Sequence, residues 1–393
     1  MNYLLDKLQS LFWLSLALFY RLFSKIHKKQ ILFSSYYGKN YSCNPRAITE
    51  HLIGNHNGEY TLYWILNPGA DTSSVPSEVK VVRPNTFEYI KVLYSSEYLI
   101  TNVRQFLLRS YWIKKKGQKY VMTWHSSMGL KCIEGDASVE SLGAPYVRAA
   151  KFDSKQCDLI LSGSRARSEV IKRAFWYDGE ILEKGTPRND IFFNDVSAHN
   201  ASDKVRKFYG IPNDALIVLY APTFRESDSL DFYRIEWDKT IKLFEDNFGK
   251  ECYALIRLHP NLIKKGIDPQ SLVDSNKAYD ATRYSDMQEL LVASDVLITD
   301  YSSSMFDFSY IRKPVFLHAT DYSTYDRNTY FDISNMPFPF SSTYDEFAEN
   351  IQNFNIQTYL NRLDVFLNKE IGSYEEGEAN ISVYDWMQKH SIK

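Results

Sequence analysis

Short apolar runs recur along this chain, and helix-like stretches separate them. The runs are ILFSS (31–35), TLYWIL (61–66), EYLITN (97–102), KYVMTW (119–124), DLILSG (158–163), LIVLYAP (216–222), CYALIRLH (252–259), DVLITD (295–300) and KPVFLH (313–318). Several are apolar without interruption. A strand reads that way when both of its faces are covered, as in a parallel sheet flanked by helices. Segments such as SRARSEVIKRAF (164–175) and SDMQELLVAS (285–294) have helical spacing. The alternation predicts βα units and an α/β fold with parallel sheets.

With 393 residues, 44% of them hydrophobic, the chain exceeds one average domain, so two are expected. The break is expected near 190 to 212, where the stretch NDVSAHNASDKVRKFYGIPND (194–214) is polar. The expected division is an amphipathic N-terminal helix over 1–30, a first domain over 31–195, a second over 196–371, and a tail over 372–393. That tail is expected to end in a helix docked on the first domain.

Net charge is −2, which excludes a global positive field for nucleic acid. Cys43, Cys132, Cys157 and Cys252 form no C-x-x-C pair. Their spacing suits neither zinc nor a secreted disulfide framework, and fits a reducing setting. The run LFWLSLALFY (11–20) is too short to span a bilayer and lacks the flanks of a secretory signal. Arg21, Lys25, Lys28 and Lys29 follow it. The run is expected to lie on an anionic membrane surface, at the cytoplasmic face; the competing expectation is a helix packed on its own domain.

Open parallel sheets place ligands beyond the carboxyl ends of their strands. After KYVMT come Trp124, His125, Ser126, Ser127, Gly129 and Lys131. A histidine there can take a proton from a hydroxyl nucleophile, or it can be structural, bonded to backbone. The small residues after it would admit a substrate. In the second half, LIVLYAP delivers Thr223 and Arg225. YALIRLHP ends on Arg257 and His259, ahead of Pro260, and DVLITD leads into Ser302, Ser303 and Ser304. Hydroxyls at a helix start with Arg and His on adjacent strands suit an anion such as a diphosphate; the simpler expectation is a serine helix cap. The chain has no G-x-G, no P-loop, no G-x-S-x-G elbow and no D-x-D. Positive side chains, not a metal, are then expected to carry leaving-group charge, and no cofactor is expected. The residues alone describe a group transferase with a nucleotide-activated donor and a histidine base across the cleft.

The set YGKNYSCNP (37–45), TWHSSMGLK (123–131), KGTPRND (184–190), YAPTFRE (220–226), IRLHP (256–260), TDYSSSMFDFSYIRKP (299–314) and YFD (330–332) closely resembles the CDP-glycerol glycerophosphotransferase family. The resemblance covers about residues 31 to 335. It implies a GT-B-like fold, two Rossmann-like domains whose sheets face a central cleft. It implies transfer of glycerol phosphate or ribitol phosphate from a CDP-polyol to a hydroxyl of a lipid-linked or polymeric acceptor, releasing CMP. By this matching His125 is the base, Arg257, His259, Ser302 and Ser303 hold the diphosphate, and Arg225 lies close by. Asp307 is expected to face the polyol or ribose. Trp124, Ser126, Ser127 and Lys131 fall on the acceptor side. The family commonly has W-H-G-T-P-L-K; here W-H-S-S-M-G-L-K is one residue longer and lacks the proline, which points to a different acceptor. The short segment ahead of residue 31 argues against a large N-terminal glycosyltransferase module. A nucleotide-sugar glycosyltransferase and a non-catalytic membrane-surface assembly protein are the alternative readings.

Overall fold

Strand β1 (His27–Ser34) and β2 (Thr61–Ile65), β3 (Val79–Val82), β4 (Ser96–Thr101), β5 (Lys119–Met122), β6 (Leu159–Leu161) and β7 (Glu180–Leu182) form one parallel sheet, in the order β3-β2-β1-β4-β5-β6-β7. This is a computed structural model, and it describes residues 2–137, 142–225 and 230–392. The first unit comprises Met1–His125, Ile133–Asp190 and Tyr374–Lys393. Its order steps outward from β1 and then reverses at β4, the doubly wound pattern whose crevice opens at the switch point. Ile31, Phe33, Trp64, Ile100 and Val121 fill the layer beneath the sheet. Phe33 stacks on Trp64 at 5.6 Å.

Returning from the second unit, the tail docks here. Its helix, Ala379–His390, buries Val383, Trp386 and Met387 in the same core. Tyr98 donates its hydroxyl to the Met387 carbonyl (2.6 Å). Asp190 holds the helix start, accepting from the N–H groups of Ala379 (3.1 Å) and Asn380 (2.8 Å). Those donors have no partner within the helix. The KGTPRND segment therefore latches the tail.

The second unit comprises Ser126–Cys132 and Ile191–Ser373. Its six parallel strands are β8 (Leu216–Tyr220), β9 (Cys252–Ile256), β10 (Ala278–Asp280), β11 (Val296–Thr299), β12 (Val315–His318) and β13 (Phe340–Ser341), ordered β10-β9-β8-β11-β12-β13. Trp237, Phe244, Phe316 and Phe347 anchor its core. Two parallel Rossmann-type sheets make a GT-B-like fold. The polar stretch expected to be a break contains a helix, Asp195–Tyr209. Asn194 caps it and Gly210 (φ +68°) ends it. The division falls just ahead, between Asp190 and Ile191.

The N-terminal helix runs from Asn2 to Phe23, so Lys28 and Lys29 lie in β1. Trp13 and Ala17 are buried, and Trp13 packs edge-on against Phe87. Leu11, Phe12, Leu18, Phe19, Leu22 and Phe23 remain exposed, the last two by 70% and 71%. The helix thus packs on its own unit and still shows an apolar face. No helix among the described residues is long and apolar enough to cross a membrane. All four cysteines are free thiols.

Candidate active site

The chain leaves β5 at Met122 and bends sharply. Trp124 takes φ +52°, a left-handed conformation that bulky residues rarely adopt. Two contacts hold it there. Its ring meets Phe175 edge-on at 4.7 Å, and its carbonyl accepts from Asn44 Nδ2 at 3.0 Å. His125 follows and lies over Trp124, with ring centroids 4.5 Å apart.

His125 Nδ1 lies 3.0 Å from the Asn102 carbonyl oxygen. A carbonyl only accepts, so Nδ1 carries the hydrogen and Nε2 carries the lone pair. Burial lowers the imidazole pKa to about 4, and the charges of Arg188 and Arg167 push the same way; the Asn102 bond opposes them. At neutral pH the ring is the uncharged form, oriented as a base. The backbone bond and the basic lone pair sit on one ring, so the structural and chemical expectations for this histidine are compatible.

Asn44 is the organiser that sequence reasoning missed. It is fully buried. Its Nδ2 donates to the Thr123 and Trp124 carbonyls, and its Oδ1 accepts from the Arg188 N–H at 3.1 Å. Three segments, YGKNYSCNP, TWHSSMGLK and KGTPRND, meet at this one amide. The available signal was an asparagine just ahead of Pro45 at the start of a helix, Cys43–Asn55.

In the second unit the expected ligands follow β9, β8 and β11, three adjacent strands. Their settings differ. Arg225 is committed: Nε and Nη2 grip both oxygens of Asp321 (2.7 and 3.0 Å), and Nη1 pairs with Asp300 at 2.8 Å. It also donates to the Thr223 carbonyl. Thr223 bonds Asp300 through its N–H (2.8 Å) and its hydroxyl (2.6 Å). Arg225 and Thr223 thus brace the loops with Asp300 and Asp321, two carboxylates the sequence reading assigned no role. A guanidinium shared between two carboxylates has few donors left for a phosphate.

Arg257 is held differently. Its Nη1 donates to the carbonyls of Ala281 (3.1 Å) and Tyr284 (2.6 Å). Burial lowers its pKa, with Asp286 opposing. A partly desolvated cation oriented by neutral carbonyls suits an incoming anion. His259 is exposed, and its Nδ1 accepts from the Asn261 N–H at 3.2 Å, which leaves Nε2 as the donor. Ser302 Oγ accepts from the Ser304 N–H (3.3 Å) and hydroxyl (3.0 Å). Its own proton is then free to point outward. Ser303 and Ser302 are partly exposed, whereas Ser304 is buried. The helix they open, Ser304–Ser309, has six residues.

Asp307 is 1% exposed. Its Oδ1 accepts from Ser127 Oγ at 2.7 Å and its Oδ2 from Gln288 Nε2 at 3.5 Å. It does not face open space for a polyol or ribose. Ser127, Met128 and Leu130 are buried too, so the residues after His125 offer less room than their size suggests; Ser126 and Gly129 are partly exposed. Lys131 also packs in the second unit, bridged to Thr329 and 5.9 Å from the Tyr325 ring centre. Burial lowers its pKa to about 8, with Asp300 opposing and Arg327 and Arg225 reinforcing. Glu226 of YAPTFRE lies outside the described residues. Among the described residues no group of three His, Cys, Asp or Glu side chains is placed to hold a metal ion.

Comparison with known proteins identifies the family. The model of the family CDP-Glycerol:Poly(glycerophosphate) glycerophosphotransferase matches residues 16–389. The chain is 31% identical over 379 residues to a teichoic acid poly(glycerol phosphate) polymerase of Staphylococcus epidermidis, covering 93% of this chain and 51% of that one. It is 30% identical over 347 residues to the polymerase of the same description from Bacillus subtilis, covering 85% and 45%. The chain therefore spans about half the length of these two relatives. Among solved structures, the wall teichoic acid polymerase TagF soaked with CDPG superimposes with a TM-score of 0.82 at 29% identity, covering 99% of this chain and 97% of that one. By a match over nearly its whole length, the chain belongs to the CDP-glycerol:poly(glycerophosphate) glycerophosphotransferase family.

Proposed function

We propose that the protein transfers glycerol phosphate, or ribitol phosphate, from a CDP-polyol to a hydroxyl of a lipid-linked or polymeric teichoic acid-type acceptor. The observation that carries the reading is His125, a neutral imidazole with Nδ1–H fixed on a backbone carbonyl and Nε2 left basic, in a chain of this family. In this reading Nε2 takes the acceptor hydroxyl proton as that oxygen attacks the β-phosphorus. The bond to the bridging oxygen breaks, CMP leaves with it, and a phosphodiester forms. Arg257, His259, Ser302 and Ser303 hold the diphosphate, and Lys131 adds positive charge where CMP departs. Thr223 and Arg225 keep the surrounding loops in place.

The test is donor use. Purified protein given CDP-glycerol or CDP-ribitol and a lipid-linked acceptor is expected to release CMP. UDP-sugars are expected to give no product. Turnover of a UDP-sugar with none of a CDP-polyol would establish the glycosyltransferase reading instead.

The second part of the proposal places the protein at the cytoplasmic face of an anionic membrane. The exposed Leu11, Phe12, Leu18, Phe19, Leu22 and Phe23 support it, with Lys25 and Lys28 exposed just beyond. Arg21 and Lys29 contribute less, because Arg21 donates to the carbonyls of Ile113 and Lys114 and Lys29 pairs with Glu59. Leu22→Glu with Phe23→Glu is expected to reduce co-sedimentation with phosphatidylglycerol vesicles at least about tenfold, since each buried apolar side chain contributes roughly 1.5–3 kcal/mol. Equal co-sedimentation of variant and wild type would end this part.

A further inference from the structure

Tyr301 stands two residues past β11, at the head of the serine loop. Its ring lies flat against Tyr325, with centroids 3.7 Å apart and planes 9° from parallel. A cation lies by each ring. The Arg225 guanidinium is 5.1 Å from the Tyr301 centre, and Lys131 Nζ is 5.9 Å from the Tyr325 centre. All four residues belong to the second unit.

The two ends of this stack differ. At the first, the polar groups are spent. Arg225 is shared by Asp300 and Asp321, and the Tyr301 hydroxyl donates to Asp321 Oδ1 at 3.2 Å. At the second, the Tyr325 hydroxyl is closed off from water and has no hydrogen-bond partner among the described residues. Lys131 feels Asp300 and Asp321 through space, with no ion pair to a carboxylate among the described residues. Backbone bonds fix the lysine: the Tyr330 N–H donates to the Leu130 carbonyl (2.7 Å), and the Cys132 N–H to the Asn328 carbonyl (2.9 Å). Exposed Arg327 adds positive charge that reaches both Lys131 and Tyr325. A buried hydroxyl without a partner is costly, and so is a desolvated cation without an anion. The ammonium only donates, and the phenol can donate beside it, so one anion satisfies both.

Strand order gives the place. Arg257 and His259 follow β9, Ser302 and Ser303 follow β11, and Tyr325 follows β12, in a sheet ordered β9-β8-β11-β12 along this stretch. We infer that the Tyr325 hydroxyl and the Lys131 ammonium form a second phosphate subsite, donating to oxygens of the CDP-polyol on the side of the serine loop opposite Arg257 and His259. This rests on the transferase reading above and deepens it: the two phosphates of the donor meet two separate sets of ligands. It also gives Tyr325 a role that no sequence motif assigned.

Equilibrium binding of CDP-glycerol to the full chain, read by calorimetry, is the test. Tyr325→Phe removes only the hydroxyl. It is expected to raise Kd about 10- to 100-fold, the worth of one hydrogen bond to a charged group. Tm is expected not to fall, because that hydroxyl bonds nothing in the fold. Lys131→Met, which keeps the apolar stem, is expected to weaken binding at least as much. The double variant is expected to lose less than the product of the two single losses, since both donors serve one anion. Cytidine, which lacks the phosphates, is expected to bind variants and wild type alike. An unchanged Kd for CDP-glycerol in Tyr325→Phe overturns the subsite. So does a lower Tm with cytidine weakened equally, which would mark the hydroxyl as structural. Wild-type protein that binds a UDP-sugar and no CDP-polyol defeats the transferase reading itself. If the same variants weaken that UDP-sugar, the phosphate subsite stands without that reading; if they do not, both fall.

Discussion

His125→Ala is expected to abolish CMP release, lowering kcat at least about 10³-fold, within the range removed with a general base. The fold is expected to survive. The substitution removes one bond to the Asn102 carbonyl and one face of the Trp124 stack, while Asn44 and Phe175 still hold Trp124. Turnover within tenfold of wild type would remove His125 from the mechanism. The pH profile gives a second readout on the wild-type protein. An ordinary imidazole would be about 90% protonated by pH 5.5. Here burial depresses the pKa to about 4. The sign follows: the base form is present above that value and is lost only as pH falls through it. The acid limb of kcat/KM for the free enzyme is therefore expected near pH 4 to 5, and a limb at 6.5 would contradict the environment described for the ring.

The largest effect on stability is expected at Arg104, a residue outside the chemistry. Its guanidinium is 2% exposed and pairs with Glu134 (3.0 Å) and Asp153 (3.2 Å), both buried. It also donates to Ser154 Oγ (2.6 Å) and the Phe175 carbonyl (3.2 Å). Arg104→Met leaves two buried carboxylates without their cation, which costs about 3–5 kcal/mol. Lysine would not substitute, because these partners need a planar fork. Asp153 already has its pKa raised to about 6 by burial, against the pull of Arg104. A folded pKa above the unfolded value of about 3.9 means that protonation favours the folded state. The Arg104→Met variant is thus expected to regain stability as pH falls from 7 toward 5, seen as a rising urea midpoint. Adding Glu134→Gln and Asp153→Asn is expected to recover much of the loss. A midpoint change below about 1 kcal/mol for Arg104→Met would show that the cluster is not the anchor its burial implies. This cluster joins residues 104 and 105, next to Asn102, to the helix Ala144–Gln156. It therefore supports the carbonyl on which His125 rests.

The sequence located the central strands and missed the edges. Each of the nine apolar runs read as strands contains strand residues. The four strands it missed are β3, β7, β10 and β13, which are the two edges of each sheet. An edge strand is covered on fewer sides, so it can be short and mixed in composition. Glu180–Leu182 and Phe340–Ser341 have three and two residues. No apolar run exists there to be read. The helices at 165–174 and 287–293 were legible because local chemistry marks their starts: Ser164 accepts from the Arg167 N–H, and Asp286 from those of Gln288 and Glu289.

Within the site, sequence determined which residue types stand at the carboxyl ends of the strands, because that depends on strand order and chain direction alone. It could not say which of them are already spent. Arg225 and Arg257 look alike in the sequence; one is locked between Asp300 and Asp321, the other rests on neutral carbonyls. Asp307 and Ser127 belonged to opposite sides of the reaction until the fold bonded them. Asn44, which holds the Trp124 carbonyl, was one polar residue among many. Local pattern settles secondary structure and the order of motifs. The state of each charge is settled by partners distant in sequence, and only the tertiary structure brings those partners within the few ångströms over which hydrogen bonds and ion pairs act.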